Sequence, residues 1–449
     1  MSLIFLKYYV SRREVCLYAL TIFLIASSCF AAGWKYLNGE FARWSFLTIA
    51  GREGTVFGIL ILGVLGGWLG AIHDEHNVVV GRSAFCGCSR VFLPRALILA
   101  FVAILGFVIG FLPLWFHAAS HASWGGADLL SLLSSCVILC CAAVCSLSIG
   151  VMLSTRWAMI LVPLMLVVVL LTPVIANQTI LVNTGLSSLQ AAPIWLNDFP
   201  TLGWGVTAQT SLMRIALYGL LSIATIRCAC RRLDGGRIGS DLIAWLCAVL
   251  SIAIVVFSIV NPAPLVKRDA ARLLCTTVTN DADLCLHPAD ASIRDVVSRA
   301  MRKTLSVAPA PERLSVIEGD SESRLDLPDN ERSTIYLAFD GTATKNEIRE
   351  VVITSLAYKL SGQESCPVNA QSVDDDIRRD DIVRALESSI AFRSGGTRIP
   401  VGMDEESGEA VYSEFQNRFD RLSDDEFTQW YEKHVSMIGE CSLSEAVLP

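Results

Sequence analysis

Long runs of apolar residues alternate with short polar loops through the first three-fifths of the chain. A helix needs about 20 apolar residues to cross the hydrocarbon core of a bilayer, and seven runs approach or exceed this length. Few or no charges interrupt them. The predicted spans are about 15–33, 55–72, 96–116, 127–152, 157–176, 210–226 and 241–261. This pattern predicts a polytopic α-helical membrane protein.

Two of these spans have features that bear on their interpretation. The first is preceded by basic residues and ends in small ones, as a signal peptide does. Its apolar region is longer than a signal peptide needs, so we expect an uncleaved helix. The span 210–226 carries Arg214 near one end, and we expect this side chain to extend to the membrane interface. No Asp, Glu or Lys lies in the middle of a span, which argues against a proton-coupled carrier.

The charges divide where the apolar runs end. Residues 1–263 contain 15 Lys and Arg against 9 Asp and Glu, a net charge of +6, whereas residues 264–449 contain 21 against 34, a net charge of −13. We therefore predict a transmembrane domain over residues 1–262 and a soluble domain over residues 263–449. Within the soluble domain, the pattern predicts helices over 291–305, 346–361 and most of 408–440, and strands over 313–319 and 333–340. These elements together predict an α+β fold.

The distribution of Lys and Arg between alternate loops predicts the orientation. With a cytoplasmic N-terminus, the inner loops hold 11 of these residues and the outer loops before the last span hold 4. Inner loops of membrane proteins are enriched in Lys and Arg. Seven spans then place the C-terminal domain on the extracytoplasmic side of the cell membrane.

Four of the 15 cysteines lie in the C-terminal domain. An oxidising compartment favours disulfides between them. The four are Cys275, Cys285, Cys366 and Cys441. One natural pairing joins the first two and the last two, but three pairings are possible. Four free buried thiols are the alternative.

Pairs of glycines four residues apart predict close contacts between helices. Gly63 and Gly67 form such a pair on the second span, overlapped by Gly66 and Gly70, and Gly106 and Gly110 form one on the third. We expect the backbones of neighbouring helices to approach these positions.

Motifs for common catalytic chemistry are missing from the sequence. It contains no GxxxxGK[ST], no HExxH and no GxSxG. His73, His76, Cys86 and Cys88 are capable of binding a metal, but HxxH followed by CxC is not a usual zinc spacing. We predict no catalytic residue, no metal and no cofactor in this chain, and the lipid bilayer rather than nucleic acid as its environment.

The arrangement of residues 10–230 resembles the permease subunits of ABC-2-type exporters. The resemblance rests on the inner loop after the second span and the start of the third, HDEHNVVVGRSAFCGCSRVFLPRALILAF. In this family that loop docks on a cytoplasmic ATPase subunit. The resemblance therefore implies that residues 74–92 bind the ATPase, with Asp74, Glu75, Arg82 and Arg90 as the candidate contacts.

The chain departs from this family at its end. The family usually has six spans, whereas this chain adds a seventh and a tail of about 185 residues. The tail segment CTTVTNDADLCLHPAD resembles a group of uncharacterised actinobacterial proteins that join ABC-2-like membrane regions to a Cys-containing domain. The resemblance names no substrate.

The sequence favours a permease subunit of an ATP-driven exporter, paired with itself or with a second permease and driven by a separate ATPase. The alternative is a membrane-anchored sensor or interaction protein whose C-terminal domain binds an external ligand or partner. A membrane-tethered hydrolase is a third hypothesis, and the missing catalytic motifs argue against it.

Overall fold

A computed structural model describes residues 12–71, 92–153, 157–168, 204–234, 239, 241–261, 266–268, 271–319, 334–366, 373–403 and 410–449. The chain divides into two compact units. The membrane unit comprises Met1–Leu37 and Ala42–Asp269, and the C-terminal unit comprises Asn38–Phe41 and Ala270–Pro449. The boundary near residue 270 lies a few residues beyond the predicted one. The four residues from the loop after the first helix were not predicted to belong to the C-terminal unit.

The described part of the membrane unit has six helices that are long and apolar enough to cross a membrane. They are α1 (Arg12–Leu37), α2 (Ser45–Ala71), α3 (Leu93–His121), α4 (Leu129–Leu153), α6 (Ala208–Leu233) and α7 (Leu242–Val260). The apolar helix α5 (Ala158–Val168) is shorter. At 1.5 Å per residue it covers roughly 16 Å, about half of a bilayer core. The rest of the predicted fifth span lies outside the described residues.

Helix α2 begins ten residues before the predicted span. The prediction started at residue 55 because Arg52 and Glu53 interrupt the apolar run. In the structure both charged residues lie within the helix. Arg52 is buried, and Glu53 forms an ion pair with Lys35 at 2.9 Å. The prediction was therefore wrong about where this helix starts.

Polar contacts tie α6 and α7 together at both ends. At the turn between them, the Asp241 carboxylate caps α7 by accepting from the backbone N–H groups of its first turn. The same carboxylate forms ion pairs with Arg227 at 2.9 Å and Arg231 at 3.2 Å. At the other end, strand β1 (Trp204–Val206) pairs antiparallel with β2 (Val266–Arg268). The two helices therefore form an antiparallel hairpin.

Glycines on α2 lie against α5. A Cβ atom added to Gly63 would lie 2.9 Å from a methyl carbon of Leu166, and one added to Gly67 would lie 2.7 Å from the carbonyl oxygen of Ala158. The later glycine meets the earlier residue of α5, so the two helices run antiparallel.

Glycines on α3 lie against α1 in the same way. A Cβ added to Gly106 would lie 2.9 Å from Cβ of Ile25, and one added to Gly110 would lie 2.5 Å from the carbonyl oxygen of Ala26. The order of contacts rises along both helices, so α1 and α3 run parallel.

The C-terminal unit combines helices with small sheets. Its main sheet has the strand order β3 (Leu274–Thr279), β4 (Ala282–Leu286), β5 (Leu314–Glu318), β6 (Thr334–Leu337). The β3–β4 pair is antiparallel, whereas β4–β5 and β5–β6 are parallel. Strands β7 (Gly402–Met403) and β8 (Ala410–Val411) form a short antiparallel pair. The helices are α8 (Arg294–Val307), α9 (Lys345–Leu360), α10 (Val373–Arg393), α11 (Gln416–Asp420) and α12 (Asp424–Gly439), with 3-10 turns at Pro288–Ile293, Gln363–Ser365 and Glu445–Val447.

The apolar faces of these elements form the core of this unit. Alternate residues of the parallel strands, such as Val316 and Leu337, are fully buried, as expected for a sheet covered by helices. Val352 and Leu356 of α9 are buried at helical spacing. Capping boxes fix the starts of α9 and α12, where a Thr or Ser hydroxyl and a Glu three residues later exchange hydrogen bonds with the backbone.

The segment Asn38–Phe41 is integrated into this unit. The Glu40 backbone N–H donates to the carbonyl of Ala343 at 3.3 Å, and its carboxylate pairs with Lys345 at 3.2 Å. Phe41 is fully buried, with its ring 6.0 Å from that of Phe339. The segment that links α1 to α2 is thus part of the core of the C-terminal unit.

Candidate functional site

Buried polar side chains occupy the first two turns of α2, α4 and α6. We call this cluster the arginine–serine layer. It consists of Arg52 from α2, Ser131, Ser134 and Ser135 from α4, and Thr210, Ser211 and Arg214 from α6, all of which are buried. Helix α4 packs against both α2 and α6, so the three helices bring these groups to one level of the bundle.

Arg52 is positioned by the contact between α2 and α4. A Cβ on the preceding Gly51 would lie 4.0 Å from the Ser135 hydroxyl, an ordinary packing distance. The Arg52 side chain is 6% exposed. It lies within electrostatic range of Arg214, which repels it, and of Asp128, which attracts it. The layer therefore holds two positive charges close enough to repel each other.

Arg214 is the largest side chain that is fully buried, with 1% of its surface exposed. Its helix is fixed by Thr207, whose hydroxyl accepts from the Thr210 backbone N–H at 3.3 Å. Tyr218, one turn further along α6, interacts electrostatically with the Arg214 guanidinium. The expectation that Arg214 extends to the interface was wrong, because neighbouring protein atoms enclose it.

The hydroxyls of α4 complete the layer. Asp128 caps the helix by accepting from the Ser131 backbone N–H at 3.0 Å. Ser134 and Ser135 both donate to the Ser131 carbonyl oxygen, at 2.7 and 3.3 Å. The Ser131 hydroxyl oxygen is buried and has no hydrogen-bond partner among the described residues. It is therefore available to a bound group.

This arrangement favours binding over catalysis. A guanidinium presents five N–H donors in a planar fork that matches carboxylates and phosphates. Two of them beside serine hydroxyls provide donors for an anionic group. Within the described ranges, no group of three or more His, Cys, Asp and Glu side chains is arranged to hold a metal.

Asp74, Glu75, Arg82 and Arg90 all lie in residues 72–91, outside the described residues. The same holds for His73, His76, Cys86 and Cys88. Their roles stay predictions.

The four cysteines of the C-terminal unit form two pairs. Cys275 and Cys285 face each other across β3 and β4, with an S–S distance of 2.02 Å. Cys366 and Cys441 are joined at 1.90 Å and link the 3-10 turn after α9 to the end of α12. Of the three pairings that the sequence left open, the structure has this one.

Sequence reasoning missed Arg52 as a site residue. Because it is charged, Arg52 was assigned to the loop before the second span, whereas its spacing places it on a face of that helix. Arg52, Thr55, Ile59 and Leu62 follow the spacing of one helix face, and all four are buried. Extending the apolar face of the second span backwards by one turn would have found it.

No protein-family model, curated protein or solved structure matches this chain. The fold itself defines a mostly helical protein with six candidate membrane-spanning helices in its described part and a C-terminal unit with small sheets.

Proposed function

We propose that this chain is the permease subunit of an ATP-driven exporter of the ABC-2 type, and that its arginine–serine layer contacts an anionic group of the transported molecule. The observation that carries this proposal is the burial of Arg52 and Arg214 within membrane helices. Charged residues inside membrane segments are rare, and where they occur they mark substrate pathways, ion pathways or ligand sites.

The energetics support a role in binding. Placing an arginine at the centre of a membrane helix costs about 2.5–3.5 kcal/mol on insertion scales. Arg52 and Arg214 lie nearer the ends of their helices, so their cost is lower, but their mutual repulsion adds to it. An anion bound between the two guanidinium groups would relieve that repulsion.

The connectivity supports seven crossings. Residues 38–41 and 270–449 belong to one compact unit, and a compact unit lies on one side of a bilayer. Five long helices connect these two parts of the chain, which is an odd number. The span predicted over 157–176 would be a sixth crossing and would make the number even. Its beginning is α5, which runs antiparallel to α2 as such a crossing requires.

The same topology agrees with the charge distribution. Seven crossings put the N-terminus and the C-terminal unit on opposite sides of the membrane. The excess of Lys and Arg in the alternate loops favours a cytoplasmic N-terminus. The C-terminal unit is then extracytoplasmic, in a compartment where its two disulfides persist.

A second protein would hydrolyse the ATP that drives transport. The sequence has no phosphate-binding loop of the GxxxxGK[ST] type, so ATP hydrolysis falls to a cytoplasmic ATPase subunit. Two permease subunits, identical or different, would form the pathway. Residues 74–92 would dock on the ATPase, by resemblance to ABC-2 permeases.

Co-purification tests the partnership. The full chain is crosslinked mildly in its native cells, purified in detergent and identified with its partners by mass spectrometry. We expect an ABC-type ATPase with the wild-type chain and none with the Arg82→Glu, Arg90→Glu double variant. The matched control is Arg302→Glu with Arg378→Glu, which reverses two exposed charges in the C-terminal unit. Recovery of extracytoplasmic partners alone would contradict the exporter proposal.

Native mass spectrometry tests the arginine–serine layer. We expect the wild-type chain, released from detergent, to carry an anionic adduct that is lost in Arg52→Gln and Arg214→Gln. Arg302→Gln, on the exposed face of α8, should retain it. An adduct spectrum that is identical in all four proteins would show that the layer binds no anion.

A second candidate function is a membrane-anchored sensor that detects an external ligand through the C-terminal unit. A cavity beside β6 favours it. In this case the co-purification experiment yields no ATPase, whereas ligand binding to the C-terminal unit persists.

A further inference from the structure

A cavity of about 280 Å³ opens within the C-terminal unit. It lies between β6, the last strand in the order of the main sheet, and the helices α9 and α10. Its size is close to the lower limit of ordinary small-molecule sites, which are about 300–1,000 Å³. The walls are mixed in character, with hydroxyls, two tyrosines, a lysine and two glutamates.

Glu387 of α10 is the unusual member of this lining. Its side chain is 7% exposed. Burial is the main cause that raises its pKa to about 7; Asp380 raises the pKa further, while Arg384 opposes the rise. Removing an ionised carboxylate from water is costly unless an opposite charge pairs with it. A cationic ligand beside Glu387 would offset this cost.

The other charges at the cavity largely cancel. Lys359 of α9, whose side chain is 14% exposed, forms an ion pair with Glu364. Once this pair is made, ionised Glu387 leaves the described lining residues with one net negative charge. The electrostatic preference is therefore for a cation.

Two aromatic rings also favour a cation in this cavity. Tyr336 comes from β6 and Tyr358 from α9, and both line the cavity. Aromatic faces attract cations, with about 0.5–2 kcal/mol gained per contact. Hydroxyls of Thr354 and Ser355 lie on the same wall of α9 and are able to accept hydrogen bonds from ammonium protons.

We propose that this cavity binds a small organic primary amine, with its ammonium group on the Glu387 carboxylate and its body against Tyr336 and Tyr358. The site goes beyond the proposed transport function and does not depend on it. An anionic ligand fits less well, because Glu364 already neutralises Lys359.

The charged form of Glu387 makes binding depend on pH. The groups that share the cavity with it are Tyr336, Tyr358, Lys359 and Glu364, and Asp380 and Arg384 flank it on α10. Only the ionised carboxylate pairs with an ammonium, so affinity falls as pH drops below the pKa of Glu387. With a pKa of about 7, the ionised fraction falls roughly 30-fold between about pH 8 and pH 5.5, and the apparent Kd should rise by that factor.

Calorimetry on the purified full chain in detergent tests the proposal. The probes are tyramine and n-butylamine, each with a neutral counterpart of matched shape, 4-ethylphenol and n-butanol. At about pH 8 we expect the wild-type chain to bind an amine at least about tenfold more tightly than its neutral counterpart, and Glu387→Gln to lose at least about tenfold in affinity. The matched control is Glu432→Gln on α12, which is exposed and lies outside the cavity lining.

Three results would overturn the proposal. The first is equal binding of an amine and its neutral counterpart. The second is no binding of either amine up to about 10 mM, a level that would detect even a millimolar site. The third is wild-type affinity that stays constant between about pH 8 and pH 5.5, which tests Glu387 without any variant. Because none of these depends on an ATPase partner, failure here is distinguishable from failure of the exporter proposal.

Discussion

Helices α2 and α4 approach each other so closely at Gly70 that a methyl group has no room. A Cβ added to Gly70 would lie 2.4 Å from the Leu147 carbonyl oxygen and 2.7 Å from Cα of Gly150. These are backbone atoms, which cannot rotate away. We therefore predict that Gly70→Ala destabilises the membrane unit.

The size of the effect follows from two opposing contributions. Carbon–oxygen contacts normally begin near about 3.3 Å, so the helices must separate by roughly 0.9 Å at this crossing. Overpacking of this kind costs about 1–3 kcal/mol. Alanine in a helix recovers about 0.5–1 kcal/mol relative to glycine. We expect a net loss of about 1–2 kcal/mol in the free energy of unfolding.

Gly219 of α6 provides the matched control, because no atom of another described element lies within 4 Å of its added Cβ. Gly219→Ala should stabilise the chain by about 0.5–1 kcal/mol through helix propensity alone. The assay is unfolding of the full chain by sodium dodecyl sulfate in mixed micelles, followed by circular dichroism. Equal stability of the two variants would refute the close approach of α2 and α4.

Two further predictions concern the C-terminal unit. Loss of the disulfide at Cys366, which closes a separation of 75 residues, should cost about 4.5 kcal/mol by the chain-entropy relation, whereas loss of the one at Cys275, which closes 10, should cost about 2.7 kcal/mol. Urea unfolding of the two Cys→Ser pairs measures this order, and the reverse order would contradict it. The pKa of Asp283 lies below its ordinary value because Arg313 donates two hydrogen bonds to it. This pair therefore stabilises the fold above the unfolded-state pKa and stops doing so as pH falls through the folded-state pKa. Melting temperatures at about pH 7 and pH 3 should show a smaller deficit for Asp283→Asn at the lower pH; an equal deficit at both would exclude the charge effect.

The spans without charges were predictable to within a few residues. The last span was predicted over 241–261, and α7 occupies Leu242–Val260. A continuous apolar run in a membrane has no alternative to the helix, because its backbone groups must bond to one another. The prediction failed where a helix contains charged residues. Neighbouring helices bury Arg52 within α2, and α6 continues through Arg227 to Leu233, seven residues past the predicted end. Whether a helix continues through such residues depends on packing and capping, which one sequence does not express.

In the C-terminal unit, too, some elements were predictable from the sequence and others were not. Helix α9 was predicted over 346–361 and occupies Lys345–Leu360, because its apolar spacing is regular. Helix α10 was not predicted, because it begins with the acidic run Asp374–Asp376, which has no apolar spacing. The contribution of residues 38–41 carries no local signal at all. It depends on a contact between parts of the chain some 300 residues apart, such as Glu40 with Lys345.

The arginine–serine layer and the close crossing at Gly70 lie at opposite ends of the α2–α4 pair. The helices run parallel, with Gly51 beside Ser135 near their starts and Gly70 beside Gly150 near their ends. At the ends, glycines allow the backbones to touch. At the starts, a Cβ added to Gly51 would meet side chains at ordinary packing distances, and the arginine–serine layer lies at this level. About 27 Å of helix separates Arg52 from the Gly70 crossing. Gly70→Ala should therefore lower stability while leaving the anionic adduct in place, whereas Arg52→Gln should remove the adduct. If Gly70→Ala also removed the adduct, the layer and the crossing would be a single structural element, and the binding role proposed for the arginines would lose its support.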